Sequence, residues 1–176
     1  LARLRNVAGD QLTSFELMPR FAVQLTVQHV PGVADPLGQN TPWYLLVELT
    51  SPNPRRELTT LLTTALEEAA EGGIVADAML AASIAQAQAM WKLRESVPEA
   101  QRRHGPSLKH DISVPVSARP ALIEQGSALV QRLAPEGDVL AYGHAGDGNL
   151  HFNVSQKPGA TAAGFMTRSH ALEQAL

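Results

Sequence analysis

The sequence contains no cysteine among its 176 residues, and aromatic residues make up only 5% of it. The lack of cysteine excludes a disulfide framework, a thiolate zinc site and a cysteine nucleophile. No apolar run approaches the roughly 20 residues of a membrane-spanning helix, and no hydrophobic signal-peptide region follows the N-terminus. We therefore expect a cytoplasmic protein without a membrane span.

An excess of basic charge is also missing. Fourteen Lys and Arg residues stand against 17 Asp and Glu residues, which gives a net charge of −3. A nucleic-acid partner is therefore not expected, because such partners select basic surfaces. Hydrophobic residues make up 44% of the sequence and charged residues 18%, as in globular proteins. We expect residues 1–176 to form a single domain with a buried core.

Helical and strand patterns alternate along the chain. Trp43–Thr50 is rich in aromatic and branched residues and predicts a strand, whereas Leu58–Ala70 has the apolar spacing of a helix. Phe21–Val27 fits either. The other predictions are strands at Ile74–Leu80, His110–Val114, Val139–His144 and Leu150–Val154, and helices at Ser83–Val97, Ala121–Leu133 and Ala160–Leu176. This mixed order, with one hairpin, predicts an α+β fold with a ferredoxin-like antiparallel sheet and helices packed on one face.

The segment Tyr142–Val154 carries the strongest functional signal. Asp147-Gly148 favours a two-residue hairpin turn, because glycine tolerates the positive φ that such turns require. Counting outward from this turn, His144 opposes His151, and opposed side chains share one face with Cβ atoms about 4.5–5.5 Å apart. Tyr142 and Asn153 fall on the same face. Two imidazoles so placed could bind one divalent metal ion, most naturally zinc; the alternative is a pair of ordinary surface histidines.

Two cations are candidates for binding a carboxylate. Arg94 falls in the middle of the apolar arc of its predicted helix, where a charge must be paired or line a cavity. Its forked guanidinium suits a carboxylate, although a structural ion pair or a stem that reaches water would also explain it. Lys109 becomes a candidate for carboxylate binding only if its strand lies next to the histidine hairpin. Glu16 and Glu48 lie inside apolar segments, and each is expected to be a satisfied polar group.

Together these segments resemble the C-terminal domain of FAD-linked oxidases. Residues 142–154 (Tyr-Gly-His-Ala-Gly-Asp-Gly-Asn-Leu-His-Phe-Asn-Val) are similar to its signature. Trp91–Glu95 and Lys109–Pro115 match two further segments in the same order. The family includes D-2-hydroxyglutarate dehydrogenases, D-lactate dehydrogenases and glycolate oxidase subunits. The resemblance covers essentially the whole chain, and the 2-hydroxyglutarate branch looks closest.

The resemblance implies a two-domain flavoenzyme that oxidises a D-2-hydroxy acid to the 2-oxo acid. An upstream domain of such enzymes holds FAD, and the present region is the substrate or cap domain. The resemblance assigns His144 and His151 to a divalent metal and Arg94 and Lys109 to the substrate carboxylates. It places Asn153 beside the two histidines in the catalytic site.

The family's third metal ligand is a Glu in a Glu-His-Gly segment downstream of the histidine motif, and the sequence ends at Leu176 without one. The flavin domain is missing as well, so we expect this fragment to fold but not to turn over alone. Its expected partners are a small 2-hydroxy acid and the flavin domain of the same full-length chain, with a homodimer left open. The alternative is a stand-alone ferredoxin-like module for binding or oligomerisation, in which the histidines are incidental.

Overall fold

The computed structural model of the protein describes residues 1–38, 41–157 and 159–175. Seven α-helices and six strands occur in this part of the chain. In chain order they are α1 (Ala2–Ala8), β1 (Leu12–Pro19), α2 (Arg20–His29), β2 (Trp43–Leu49), α3 (Leu58–Glu71), α4 (Ile84–Glu95), α5 (Val97–His104), β3 (Ser107–Leu108), β4 (Asp111–Ser113), α6 (Arg119–Leu133), β5 (Gly137–His144), β6 (Asn149–Gln156) and α7 (Ala162–Ala175). None of these helices is both long and apolar enough to cross a membrane.

The six strands form one antiparallel sheet. Its order is β2-β1-β5-β6-β3, and β4 also pairs with β6. The predicted α+β fold with an antiparallel sheet is therefore confirmed. Short β3 and β4 follow one another along the same edge of β6, with Leu108 opposite Val154 and Asp111 opposite His151.

Helices pack on both faces of the sheet rather than on one. Successive residues of a strand point to opposite sides of the sheet, and each side carries buried apolar residues that helices cover. Leu140 and Tyr142 of β5 point to the side covered by α2, α4 and α5, here called the α2 face. Ala141 points to the side covered by α6 and α7, the α6 face. The α2 face buries Met18, Ala22, Val23, Leu25, Val30, Tyr44, Leu93, Val97, Ala100, Leu140 and Tyr142. The α6 face buries Leu108, Val130, Ala134, Ala141, Leu150, Phe152, Val154, Phe165 and Leu172.

Two predictions about local structure need correction. The strand predicted at Ile74–Leu80 is wrong: this segment is irregular, and Ile74 and Met79 are 64% and 45% exposed. The backbone N–H groups of Ile74 and Val75 donate to Ala69 of α3 instead of to a strand. The single helix predicted at Ser83–Val97 is divided at Ser96 into α4 and α5. Pro98 lies in the first turn of α5, where a proline favours the start of a new helix.

The hairpin register differs by two residues from the prediction. Tyr142, not His144, stands opposite His151. Four residues, 145–148, separate β5 from β6, and the N–H of Ala145 donates to Phe15 of β1 at 2.7 Å, which keeps Ala145 from pairing within the hairpin. A shift by an even number of residues leaves each side chain on its predicted face. His144 and His151 therefore remain on the same side of the sheet without being directly opposed.

The close contact between Gly126 of α6 and Phe152 of β6 leads to a prediction about stability. A Cβ atom at Gly126 would lie 2.6 Å from Cζ of the fully buried Phe152 ring. Over-packing of this kind costs about 1–3 kcal/mol, against a gain of about 1 kcal/mol for alanine over glycine in a helix. We expect Gly126→Ala to lower the free energy of unfolding in urea by about 1 kcal/mol. Gln125→Ala, at an exposed position of the same helix, is the control. Equal stability of the two variants would contradict a tight contact between Gly126 and Phe152.

Candidate active site

Arg94 of α4 and Glu16 of β1 form a buried ion pair on the α2 face. Arg94 Nε donates to Glu16 Oε2 at 2.7 Å, and the two side chains are only 9% and 2% exposed. The guanidinium carbon of Arg94 lies 4.9 Å from the centroid of the Tyr142 ring, a cation–π contact. The terminal nitrogens of Arg94 have no hydrogen-bond partner within the described residues. Arg94 is thus both structurally paired and able to bind an anion through the end of its fork.

The second oxygen of Glu16 holds His144. Glu16 stands opposite His144 in the pairing of β1 with β5, and Glu16 Oε1 is hydrogen-bonded to Nδ1 of the imidazole. The His144 side chain is 56% exposed although its partner carboxylate is buried. The backbone oxygen of His144 also accepts from Arg119 at 2.9 Å. His144 is therefore fixed at Nδ1 and at its backbone, while the Nε2 side of the ring is open.

His151 has an equivalent arrangement on β6. Its Nδ1 is hydrogen-bonded to Oδ1 of Asp111, which stands opposite it on β4. The imidazole also lies against Tyr142, with ring centroids 4.9 Å apart. Tyr142 therefore connects His151 to Arg94, and Glu16 connects Arg94 to His144. Three of the predicted site residues thus belong to one continuous network.

Tyr142 lies at the centre of this network with a raised pKa. Burial is the main cause, and the carboxylate of Asp111 raises the pKa further above its ordinary value of 10.0. The charge of Arg94 and a hydrogen bond with Asn153 act in the opposite direction. The phenol is consequently neutral at physiological pH.

Asn153 is hydrogen-bonded to Tyr142 of this network, and both polar atoms of its side chain have further partners. Its amide nitrogen donates to Gln101 Oε1 at 2.9 Å, and its amide oxygen accepts from the backbone N–H of His110 at 3.3 Å. Gln101 in turn donates to Ser155 at 2.9 Å. All three side chains of this chain of hydrogen bonds, those of Gln101, Asn153 and Ser155, are buried. Asn153 thus supports Tyr142 and ties β6 to α5 and to the segment before β4.

Lys109 lies at the edge of the network rather than within it. It is exposed between β3 and β4, and both of these strands pair with β6, the strand of His151. The condition set for its role, a strand next to the histidine hairpin, is therefore met. The described residues offer it no ion-pair partner.

The described residues contain no group of three or more His, Asp or Glu side chains that could hold a metal ion. The two predicted histidine ligands nevertheless have the right surroundings for such a role. Each has a carboxylate on Nδ1, and histidines that bind a metal commonly carry such a partner on the other ring nitrogen. A carboxylate only accepts, so Nδ1 carries a proton, and in the neutral ring Nε2 keeps the lone pair that a metal needs. The surroundings of His144 and His151 are thus compatible with two ligands, and a third ligand would have to come from outside this group.

Glu16 and Asp111 are the functional candidates that sequence reasoning missed. Glu16 is a satisfied polar group, as expected, but its partners could not be named from the sequence. The sequence feature that could have revealed a role for Glu16 is its position in the apolar run Phe15–Met18, where a carboxylate must have a specific partner. Asp111 lies within a segment quoted for its lysine and received no role of its own.

Comparison with known proteins fits this geometry. A family model described as FAD linked oxidases, C-terminal domain, matches residues 1–172, and the chain belongs to this family. The resemblance found in the sequence is thereby confirmed.

Curated relatives narrow the family further. The chain is 34% identical over 158 residues to the mitochondrial D-2-hydroxyglutarate dehydrogenase of Arabidopsis thaliana, which covers 88% of this chain and 27% of the relative. It is 37% identical over 152 residues to the D-2-hydroxyglutarate dehydrogenase of Xanthomonas citri pv. viticola. This match covers 86% of the present chain and 31% of the relative. It is 38% identical over 148 residues to the mitochondrial D-2-hydroxyglutarate dehydrogenase of Rattus norvegicus. This match covers 84% of the present chain and 26% of the relative. The chain thus spans less than a third of the length of these relatives.

Proposed function

We propose that this chain is the substrate domain of an FAD-dependent dehydrogenase that oxidises a D-2-hydroxy acid, such as D-2-hydroxyglutarate, to the 2-oxo acid. The observation that carries the proposal is the continuous network from His144 through Glu16, Arg94 and Tyr142 to His151. The names of the relatives support the substrate class. Residues 1–176 act as one cap domain in this proposal, and a cytoplasmic location and a homodimer stay predictions.

The substrate is held by its carboxylates. Arg94 offers the terminal nitrogens of its guanidinium, a planar fork that matches two carboxylate oxygens. Because its Nε is bound to Glu16 and its face lies on Tyr142, little side-chain freedom is lost when substrate binds. Lys109, exposed beside β6, provides a second cation. Two cations suit an acid with two carboxylates better than one with a single carboxylate.

The two histidines would hold a divalent ion through Nε2, with zinc as the natural choice for imidazole. Bound there, such an ion would lower the pKa of the substrate hydroxyl, and a flavin domain of the full-length chain would supply FAD as the hydride acceptor. The chain's own contribution is positional. Glu16 and Asp111 fix the ring orientation of His144 and His151, and Asn153 holds Tyr142 in place.

A module for oligomerisation is the second candidate, and one observation favours it. On the α6 face, an apolar cleft of about 390 Å³ is lined by Leu17, Trp43 and Ile123 among others. Trp43 and the nearby Leu45 are 39% and 50% exposed. This surface lies on the opposite side of the sheet from the proposed site, so the two functions are separable by experiment.

Turnover separates these candidates. We expect the full-length enzyme that contains this chain, with its flavin bound, to oxidise D-2-hydroxyglutarate with an artificial electron acceptor, and the 176-residue chain alone to be inactive. L-2-hydroxyglutarate is the control for handedness, and D-lactate tests the need for a second carboxylate. Oxidation by the 176 residues alone would contradict the domain assignment. A full-length protein without flavin, or without activity on any 2-hydroxy acid, would favour the non-catalytic module.

A further inference from the structure

A single buried carboxylate contacts both halves of the proposed site. Glu16 Oε2 accepts from Nε of Arg94, the proposed substrate clamp, and Oε1 is bound to Nδ1 of His144, a proposed metal ligand. The three residues come from β1, α4 and β5, and Glu16 is 78 positions from Arg94 and 128 from His144 in sequence. The Glu16 side chain is only 2% exposed, so water does not easily replace either partner.

Resting on the function proposed above, we propose that Glu16 is a positioning residue that serves the substrate clamp and the metal ligand at the same time. Its effect on His144 is to select a tautomer. A carboxylate only accepts hydrogen bonds, so Nδ1 of His144 must carry the proton and Nε2 stays free for the metal. Its effect on Arg94 is to hold the guanidinium by Nε, while the terminal nitrogens have no hydrogen-bond partner among the described residues.

Asp111 provides an internal comparison. It makes the same kind of contact to Nδ1 of His151, yet no hydrogen bond or ion pair joins it to Arg94 in the described residues. Its side chain is 70% exposed, in contrast to that of Glu16. Removing its charge should therefore disturb metal binding alone, whereas removing the charge of Glu16 should disturb metal binding and substrate binding together.

Substituting glutamine for Glu16 tests this difference. Glutamine keeps the size of the side chain but offers one acceptor and one donor where two donors must be satisfied. If its oxygen faces Arg94, its NH₂ group faces His144 and favours the tautomer that cannot bind a metal through Nε2. If it is turned round, the contact to Arg94 Nε is lost instead. In either orientation one contact is lost, and the other becomes a weaker, neutral hydrogen bond because the carboxylate charge is gone. Zinc binding and substrate binding should therefore both suffer.

The experiment measures two quantities on the full-length enzyme: the Kd for zinc, by competition with a chromophoric chelator, and the KM for D-2-hydroxyglutarate at saturating zinc. Glu16→Gln should raise the zinc Kd by about 10–100-fold, the range for partners of metal ligands, and also raise KM about tenfold or more. Asp111→Asn should raise the zinc Kd similarly and leave KM within about twofold. Glu48→Gln, on the neighbouring strand and outside the network, is the matched control and should change neither.

The tautomer can be measured without any substitution, which covers the case in which Glu16→Gln does not fold. Before zinc is added, and at a pH at which the imidazole is neutral, the ¹⁵N chemical shifts of His144 should report the tautomer with its proton on Nδ1. The opposite tautomer would overturn the proposal, as would equal effects of Glu16→Gln and Asp111→Asn on KM. An unsubstituted enzyme that neither binds zinc nor oxidises D-2-hydroxyglutarate would instead overturn the proposed function itself.

Discussion

Replacing Arg94 by leucine should lower the free energy of unfolding by about 3–5 kcal/mol, because it leaves a buried carboxylate without its counter-charge. The Glu16 side chain is 2% exposed, and among the described residues Arg94 is the only lysine or arginine that forms an ion pair with it. Urea denaturation of the 176-residue chain measures this loss. The matched control is Arg103→Leu, since Arg103 pairs with Glu99 on the surface of α5, where such pairs contribute about 0.5 kcal/mol or less. Equal losses for the two variants would contradict the buried pair.

The same position separates stability from function when lysine is used instead. Arg94→Lys keeps a positive charge near Glu16, so the chain should retain more of its stability than with leucine. Lysine has no planar fork and cannot satisfy Glu16 and a substrate carboxylate together. In the full-length enzyme we therefore expect a raised KM for D-2-hydroxyglutarate. An unchanged KM would show that Arg94 is a structural residue only.

On the proposed function, replacing His144 and His151 together by alanine should abolish zinc binding. The contacts of their carboxylate partners are worth about 10–100-fold in affinity where such partners have been removed. Loss of two direct ligands should therefore raise the zinc Kd by more than about 100-fold. Metal analysis of the purified full-length protein measures the stoichiometry, and a chelator competition measures the Kd. His29→Gln, remote from the network, is the control, and equal zinc binding by the double variant and the control would refute the metal site.

Each single substitution should also be informative, because the two histidines differ in exposure. The side chain of His144 is 56% exposed and that of His151 is 31% exposed. His144→Ala removes little buried surface but leaves Oε1 of the buried Glu16 carboxylate without its partner, so it should lower the free energy of unfolding as well as the affinity for zinc. His151→Ala removes the ring contact with Tyr142 and should also lower the free energy of unfolding.

The sequence was sufficient to predict those parts of the site that follow from local pattern. The histidine motif predicts a hairpin with polar residues on one face, and Arg94 is a charged residue within the apolar arc of its helix. Neither inference requires knowledge of distant contacts. The α+β class follows in the same way from the order of helix and strand patterns.

The parts that sequence reasoning missed depend on distant contacts. Glu16 lies 128 positions from His144, and no spacing rule connects them. The true hairpin register depends on Ala145 bonding to β1 rather than within the hairpin, which the motif itself cannot reveal. Ile74–Leu80 has strand-like residues but pairs with none of the described strands. The N–H groups of Ile74 and Val75 donate to Ala69 of α3 instead, which its composition could not reveal.

The pairing of β5 with β6 makes the site sensitive to the parity of any slip between these two strands. If Asn149 and the residues after it moved by one position against β5, His151 would turn into the apolar layer beneath α6, and Phe152 would turn toward Arg94. A slip of two positions would instead keep every side chain on its face, and in one direction it would bring His144 opposite His151. Residues 145–148 form a loop that can absorb a change of length without moving either strand, so a variant of this loop alters the spacing of the two imidazoles only where it shifts the register by an even number.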